Sequence, residues 1–183
     1  KVEYKVKATN PNYNDATDDG TLEVTKRSIT LTSADGEKVY DGTALTKNAQ
    51  TDVTVGGDGF VDGEGATYTI TGTQTDVGSS ENTFTYTLTE GTKADNYDIA
   101  DPIYGTLTVT KATMTVEAVD YSGKYDGAAH AGGATPSVTE GTTIQYSTDG
   151  GETWSTEVPS ITDFGKVEYK VKATNPNYND ATD

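Results

Sequence analysis

The chain has 183 residues, room for one or two domains, with 32% hydrophobic residues, 20 glycines, 5 prolines and no cysteine. Its net charge of −16 and pI near 4.2 repel phosphate backbones and argue against nucleic-acid binding. No apolar run approaches the roughly 18 residues of a membrane helix, so membrane insertion of this segment is not expected. The lack of cysteine excludes disulfides, zinc thiolates and thiol nucleophiles.

Lys1–Asp18, KVEYKVKATNPNYNDATD, returns without a change as Lys166–Asp183, an offset of 165 residues. A fixed period of this kind marks a repeat architecture, and the chain reads as one unit of a longer array plus an 18-residue overlap. Along the chain, Val2, Tyr4 and Val6 alternate with charged residues. Tyr68 and Ile70, then Phe84, Tyr86 and Leu88, then Leu107 and Val109 alternate with threonine. Period 2 predicts strands with one apolar face and one wet face. The 35 threonines and 12 tyrosines suit such half-buried sheets. Turn signals at Asn10-Pro11, Asp35-Gly36, Asp41-Gly42, Gly56-Gly57 and Gly150-Gly151 separate the strands. No helical period stands out. The expected fold is all-β, a tandem array of Ig-like β-sandwich modules; the alternative, β-grasp-like modules, requires a helix.

A weaker repeat lies inside the 165-residue unit. Thr21–Lys26 answers to Thr106–Lys111, Tyr40-Asp41-Gly42 to Tyr125-Asp126-Gly127, and Thr75-Asp76-Val77-Gly78 to Thr162-Asp163-Phe164-Gly165. Asn96-Tyr97 likewise answers to Asn177-Tyr178. Residues 1–26 therefore read as the terminal hairpin of a preceding, incomplete module. Residues 27–111 read as a complete module, and 112–183 as a second module lacking its last strand. With no Gly/Ser linker at the joint, the modules are expected to stack stiffly.

The order Tyr-Asp-Gly, Asp-x-Gly, Asn-Tyr, Gly-Thr-Leu-x-Val-Thr resembles the MBG/YDG-type tandem repeats of Gram-positive, mostly Firmicutes, cell-surface adhesin-like proteins. It runs through both modules. The resemblance implies an extracellular, wall-anchored stalk, with glycan or mucin binding suggested for some relatives. The absence of cysteine fits such a surface as well as it fits a cytosolic protein.

Residues that could carry chemistry are few. Ser147, Asp149, Gly151, Thr153 and Trp154 match the S-x-D-x-G-x-T-W Asp-box at every fixed position. Asp149 can gather backbone amides there, and Gly150 and Gly151 can take positive φ, which points to a structural turn. Asp58, Asp62 and Glu64 sit in a Gly-rich loop that could wrap Ca²⁺, but their spacing fits neither the EF-hand loop nor the RTX nonapeptide, and a solvated hairpin loop is the preferred reading. His130, the single histidine, has neither nucleophile nor orienting partner in its Gly/Ala-rich surroundings. Trp154, Tyr146 and Tyr121 could form a flat platform for a sugar; tyrosines at alternating strand positions are otherwise core. No catalytic residue and no obligatory cofactor is expected. The expected partners are neighbouring copies of the repeat and extracellular glycans or mucin. Leu22 and Val24 are expected to serve as an assembly strand that completes residues 112–183 of the next copy.

Overall fold

The computed structural model describes residues 1–183 and contains seventeen strands and no α-helix. The alternation identified in the sequence becomes β1 (Val2–Asn10), β2 (Tyr13–Leu22), β3 (Arg27–Ser33), β4 (Gly36–Val39), β5 (Val53–Gly57), β6 (Ala66–Ile70), β7 (Gly78–Glu81) and β8 (Phe84–Leu88). After these come β9 (Tyr97–Ile99), β10 (Thr106–Thr110), β11 (Val116–Ala118), β12 (His130–Ala131), β13 (Ala134–Pro136), β14 (Thr143–Ser147), β15 (Ser160–Ile161), β16 (Lys170–Asn175) and β17 (Tyr178–Thr182). The fold is all-β. The helix that a β-grasp would need is absent; only two short 3-10 turns occur, at Gln50–Asp52 and Ala94–Asn96. No helix is long and apolar enough to cross a membrane.

The chain forms two compact units that do not follow sequence order: 1–34 with 48–70 and 83–104, and 35–47 with 71–82 and 105–183. Segments 35–47 and 71–82, which the sequence places in the first module, thus cluster with the second unit. In the first unit β3 lies between antiparallel β5 and parallel β9, and β6 pairs with β8. Ile29 and Leu31 of β3 bury against Val53, Phe84 and Tyr97, because one face of each strand is apolar. The β1–β2 hairpin also belongs to this unit, but β1 and β2 pair only with each other. Every residue from Val2 to Leu22 except the half-buried Gly20 is exposed. The apolar stripe Val2, Tyr4, Val6 therefore faces solvent.

In the second unit β10 runs between β4 and β7. Leu107 and Val109 bury with Leu45 against Tyr40 and Val77. A second core gathers Met114, just before β11, with Val116, Tyr146, Val171 and Ala173 from β11, β14 and β16. Here β16 is flanked by β14 and β17, β11 pairs with β13, and β12 with β15. Within this unit the residues after β10 are braced at once. Ala112 exchanges backbone hydrogen bonds with Asn177 (3.1 Å) and Asn179 (2.8 Å). Asn177 donates through Nδ2 to Asp76 Oδ1 (3.0 Å) and accepts from the Val77 N–H (2.9 Å). Tyr178 packs edge-on against Tyr40, with ring centroids 5.6 Å apart.

Candidate functional site

The Asp-box folds as a turn hub after β14. The Ser147 hydroxyl donates to Asp149 Oδ1 (2.6 Å) and accepts from the Gly151 N–H (2.8 Å). The same carboxylate accepts the N–H groups of Glu152 and Thr153 (3.0 Å each) and the Thr153 hydroxyl. Gly150 and Gly151 take φ of 81° and 102°, which other residues rarely adopt. Trp154 closes the turn by donating Nε1–H to the Gly151 carbonyl (3.1 Å). The Ser147 hydroxyl, then the Thr153 hydroxyl and N–H, hold the Asp149 carboxyl far below its ordinary value. A carboxylate with this many fixed donors is a brace for backbone amides and a poor proton carrier near neutral pH.

The aromatic residues do not form one exposed platform. Tyr146 is buried beside Val171 and Ala173, and burial pushes its phenol above the ordinary range. Its ring faces inward because Ile144 and Tyr146 share the alternation of β14 with the core, which corrects the expectation of a surface aromatic. Trp154 is half-buried, with the Lys172 ammonium 4.7 Å from its ring centre. Tyr121 is exposed and stacks on His130, centroids 3.9 Å apart and rings 7° from parallel. His130 Nε2 also lies 3.0 Å from Asp126 Oδ1.

The acidic loop is pulled in separate directions. Asp58 Oδ2 accepts the N–H (2.8 Å) and hydroxyl (3.0 Å) of Ser28, and these bonds hold its carboxyl low. Glu64 Oε2 accepts the Lys93 N–H (3.2 Å). No three acidic or histidine side chains in the structure converge on a common point for a metal ion. Leu22 closes β2 and Val24 lies beyond it, outside any strand; they are 62% and 94% exposed.

Residue-by-residue reading missed a groove lined by Tyr121, His130, Ile161, Val167 and Tyr169. Tyr169 is its fixed wall: its hydroxyl donates to the Val119 carbonyl (2.6 Å) and accepts the Gly133 N–H (3.0 Å). The neighbouring Gly132 must stay glycine, because a Cβ there would sit 2.6 Å from the Tyr169 ring. Tyr125 (72%) and Phe164 (101%), close in sequence to its lining residues, are exposed. The signal that could have located it was already in the chain: the Tyr-Asp-Gly and Asp-x-Gly motifs repeat here, and they mark the ends of strands that flank β10 in the first module.

Residues 25–104 match the model of the YDG domain family, alongside the 27–111 boundaries read from the repeats. No curated protein and no solved structure matches the chain.

Proposed function

We propose, from the YDG domain at residues 25–104, that the chain is a non-enzymatic structural repeat of an extracellular bacterial surface stalk or fibre, one that spaces or displays an adhesive region. The observation that carries this reading is the joint after β10. Lys111 alone separates Thr110 from Ala112, and Ala112 is already hydrogen-bonded to Asn177 and Asn179. Asn177 and Tyr178 then reach Asp76, Val77 and Tyr40, which belong to the repeated motifs of the preceding module. A one-residue joint braced in this way leaves no free hinge, the property a spacer needs. The net charge of −16 keeps closely spaced copies apart.

Small-angle scattering on tandem chains of rising copy number tests this. The maximum dimension should grow in proportion to the number of 165-residue units. Growth with the square root of that number, the behaviour of a flexible linker, would overturn the spacer reading. Surface location is checked separately, by labelling intact cells with an antibody to the repeat.

Glycan or mucin binding through multivalency is a second reading. It is favoured by the half-buried Trp154 beside Lys172 and by the exposed Tyr121. A glycan array probed with one unit and with a tandem trimer decides it, since flat responses from both remove the binding role.

A further inference from the structure

Seven Asp-Gly bonds occur in the chain, and six of them lie outside the β1–β2 hairpin. An Asp-Gly bond can rearrange without a catalyst: the glycine nitrogen, unshielded by any β-carbon, attacks the aspartate Cγ. The fold decides which bonds are free to do so. Asp35, Asp41, Asp58, Asp126 and Asp149 each accept a backbone N–H at the carboxylate. The donors are Thr106 (2.6 Å), Thr43 (2.9 Å), Ser28 (2.8 Å), Ala128 (2.9 Å) and Thr153 (3.0 Å). Asp62 differs. It is exposed, as is Gly63, and its carboxylate makes no hydrogen bond and no ion pair. The Gly63 N–H donates to no backbone carbonyl, and a β-carbon placed on Gly63 would meet no atom within 4 Å. The chain is anchored on both sides of this tip. Before it, Arg27 Nε donates to the Gly59 carbonyl (2.7 Å) and the Val61 N–H to the Tyr97 hydroxyl (3.1 Å). After it, the Gly65 N–H donates to the Thr92 hydroxyl (3.0 Å). Across it runs one turn bond, from the Glu64 N–H to the Val61 carbonyl (3.0 Å).

We propose that Asp62 is a site of spontaneous isoaspartate formation, a covalent modification that rewrites the main chain at the tip of this loop. In the first step the Gly63 nitrogen bonds to Asp62 Cγ. The protonated carboxyl loses its hydroxyl, the nitrogen loses its proton, and one water departs to leave a cyclic succinimide. In the second step water adds back at either carbonyl of the ring. Breaking the bond from nitrogen to Cγ restores aspartate. Breaking the bond from nitrogen to the original main-chain carbonyl carbon leaves the chain running through Cβ and Cγ, one carbon longer, with the α-carboxylate pendant. Water is returned, so composition is unchanged and no oxidant, metal or partner is consumed. The added carbon lengthens the span that the Val61–Glu64 turn bond closes, next to the residues that hold the loop on Tyr97.

Asp58 supplies an internal comparison, because it too precedes a glycine in the same loop. Its carboxylate must release the Ser28 N–H and hydroxyl before Cγ can meet the Gly59 nitrogen. Isoaspartate should therefore accumulate about tenfold or more faster at Asp62 than at Asp58. The unmodified chain is stored warm at neutral pH, sampled over weeks and digested with trypsin. Cleavage after Lys47 and Lys93 yields one peptide, 48–93, that carries both bonds. Electron-transfer fragmentation distinguishes isoaspartate at the two positions, and hydrolysis in heavy-oxygen water marks each ring opening. A parallel sample in urea, where the bonds to Ser28 are lost, should bring the two rates together. No isoaspartate at Asp62, a rate there no greater than at Asp58, or a ratio unchanged by urea would overturn the assignment. The inference rests neither on the spacer reading nor on the glycan reading, and none of these outcomes bears on how tandem chains grow.

Discussion

Lys1–Asp18 and Lys166–Asp183 are the same eighteen residues in two surroundings. They fold alike locally. Lys7 pairs with Thr17, Ala8 with Ala16 and Asn10 with Tyr13 in one copy; Lys172 pairs with Thr182, Ala173 with Ala181 and Asn175 with Tyr178 in the other. The hairpin and its register are therefore properties of the sequence itself. Burial is not. Val6 is 52% exposed while Val171 is fully buried, because β14 and β11 supply a core for the second copy and no further strand pairs with the first. In its place the first copy has surface ion pairs, Lys1–Glu3, Lys5–Asp19 and Lys7–Asp15, each worth little in water. An isolated two-stranded hairpin is marginal on its own, so the two copies should differ sharply in stability.

Amide exchange is the largest expected contrast. The Val171 amide, bonded to the Asp183 carbonyl in a buried ladder, should exchange on the order of a thousandfold more slowly than the Val6 amide. Equal rates would mean that the hairpin is packed in solution. Next comes a paired substitution. Val171→Ala should cost about 2–3 kcal/mol in urea unfolding, from lost burial plus the cavity left behind, whereas Val6→Ala should stay within about 0.5 kcal/mol as an exposed change. A comparable cost at both positions would erase the distinction drawn here.

A smaller loss is expected at the turn that supports the buried copy from the side of β14. Ser147→Ala removes a buried hydroxyl that links Asp149 to the Gly151 amide and should cost about 1–2 kcal/mol in the same unfolding assay. The smallest effect is the dependence on acid. The Asp149 carboxyl is held far below its ordinary 3.8, so its contribution is present above that value and drains away as pH falls beneath it. Thermal melts should therefore be flat from neutral pH down to about 4 and decline below it, with a shallower decline for Asp149→Asn. An identical acid limb in that variant would show that other carboxylates dominate.

Strand positions were largely legible in the sequence, since alternation alone specifies which face of a strand is apolar. Leu107 and Val109 are buried and Thr108 faces outward, as period 2 requires. Alternation says nothing about whether another element covers that face, which is why Val2, Tyr4 and Val6 carry a core pattern and yet stand in solvent. The Asp-box was legible for a related reason: its hydrogen bonds all close within the eight residues 147–154, so local spacing determines them. The groove at Tyr121 and Val167 joins residues 46 apart in the chain, and no local pattern encodes that proximity. Tyr146 was ambiguous because one residue type serves both a core and a sugar platform, and only burial separates the two.

The direction of the strands adds a mechanical consequence. In one unit the early strand β3 runs parallel to the late strand β9, and in the other the early β4 runs parallel to the late β10. Pulling the start of the early strand against the end of the late strand draws the members of each parallel pair past one another along their length. The hydrogen bonds between them are then strained together, not peeled open singly as in a hairpin pulled from its open end. Tension applied in that direction accordingly meets each ladder as one cooperative barrier.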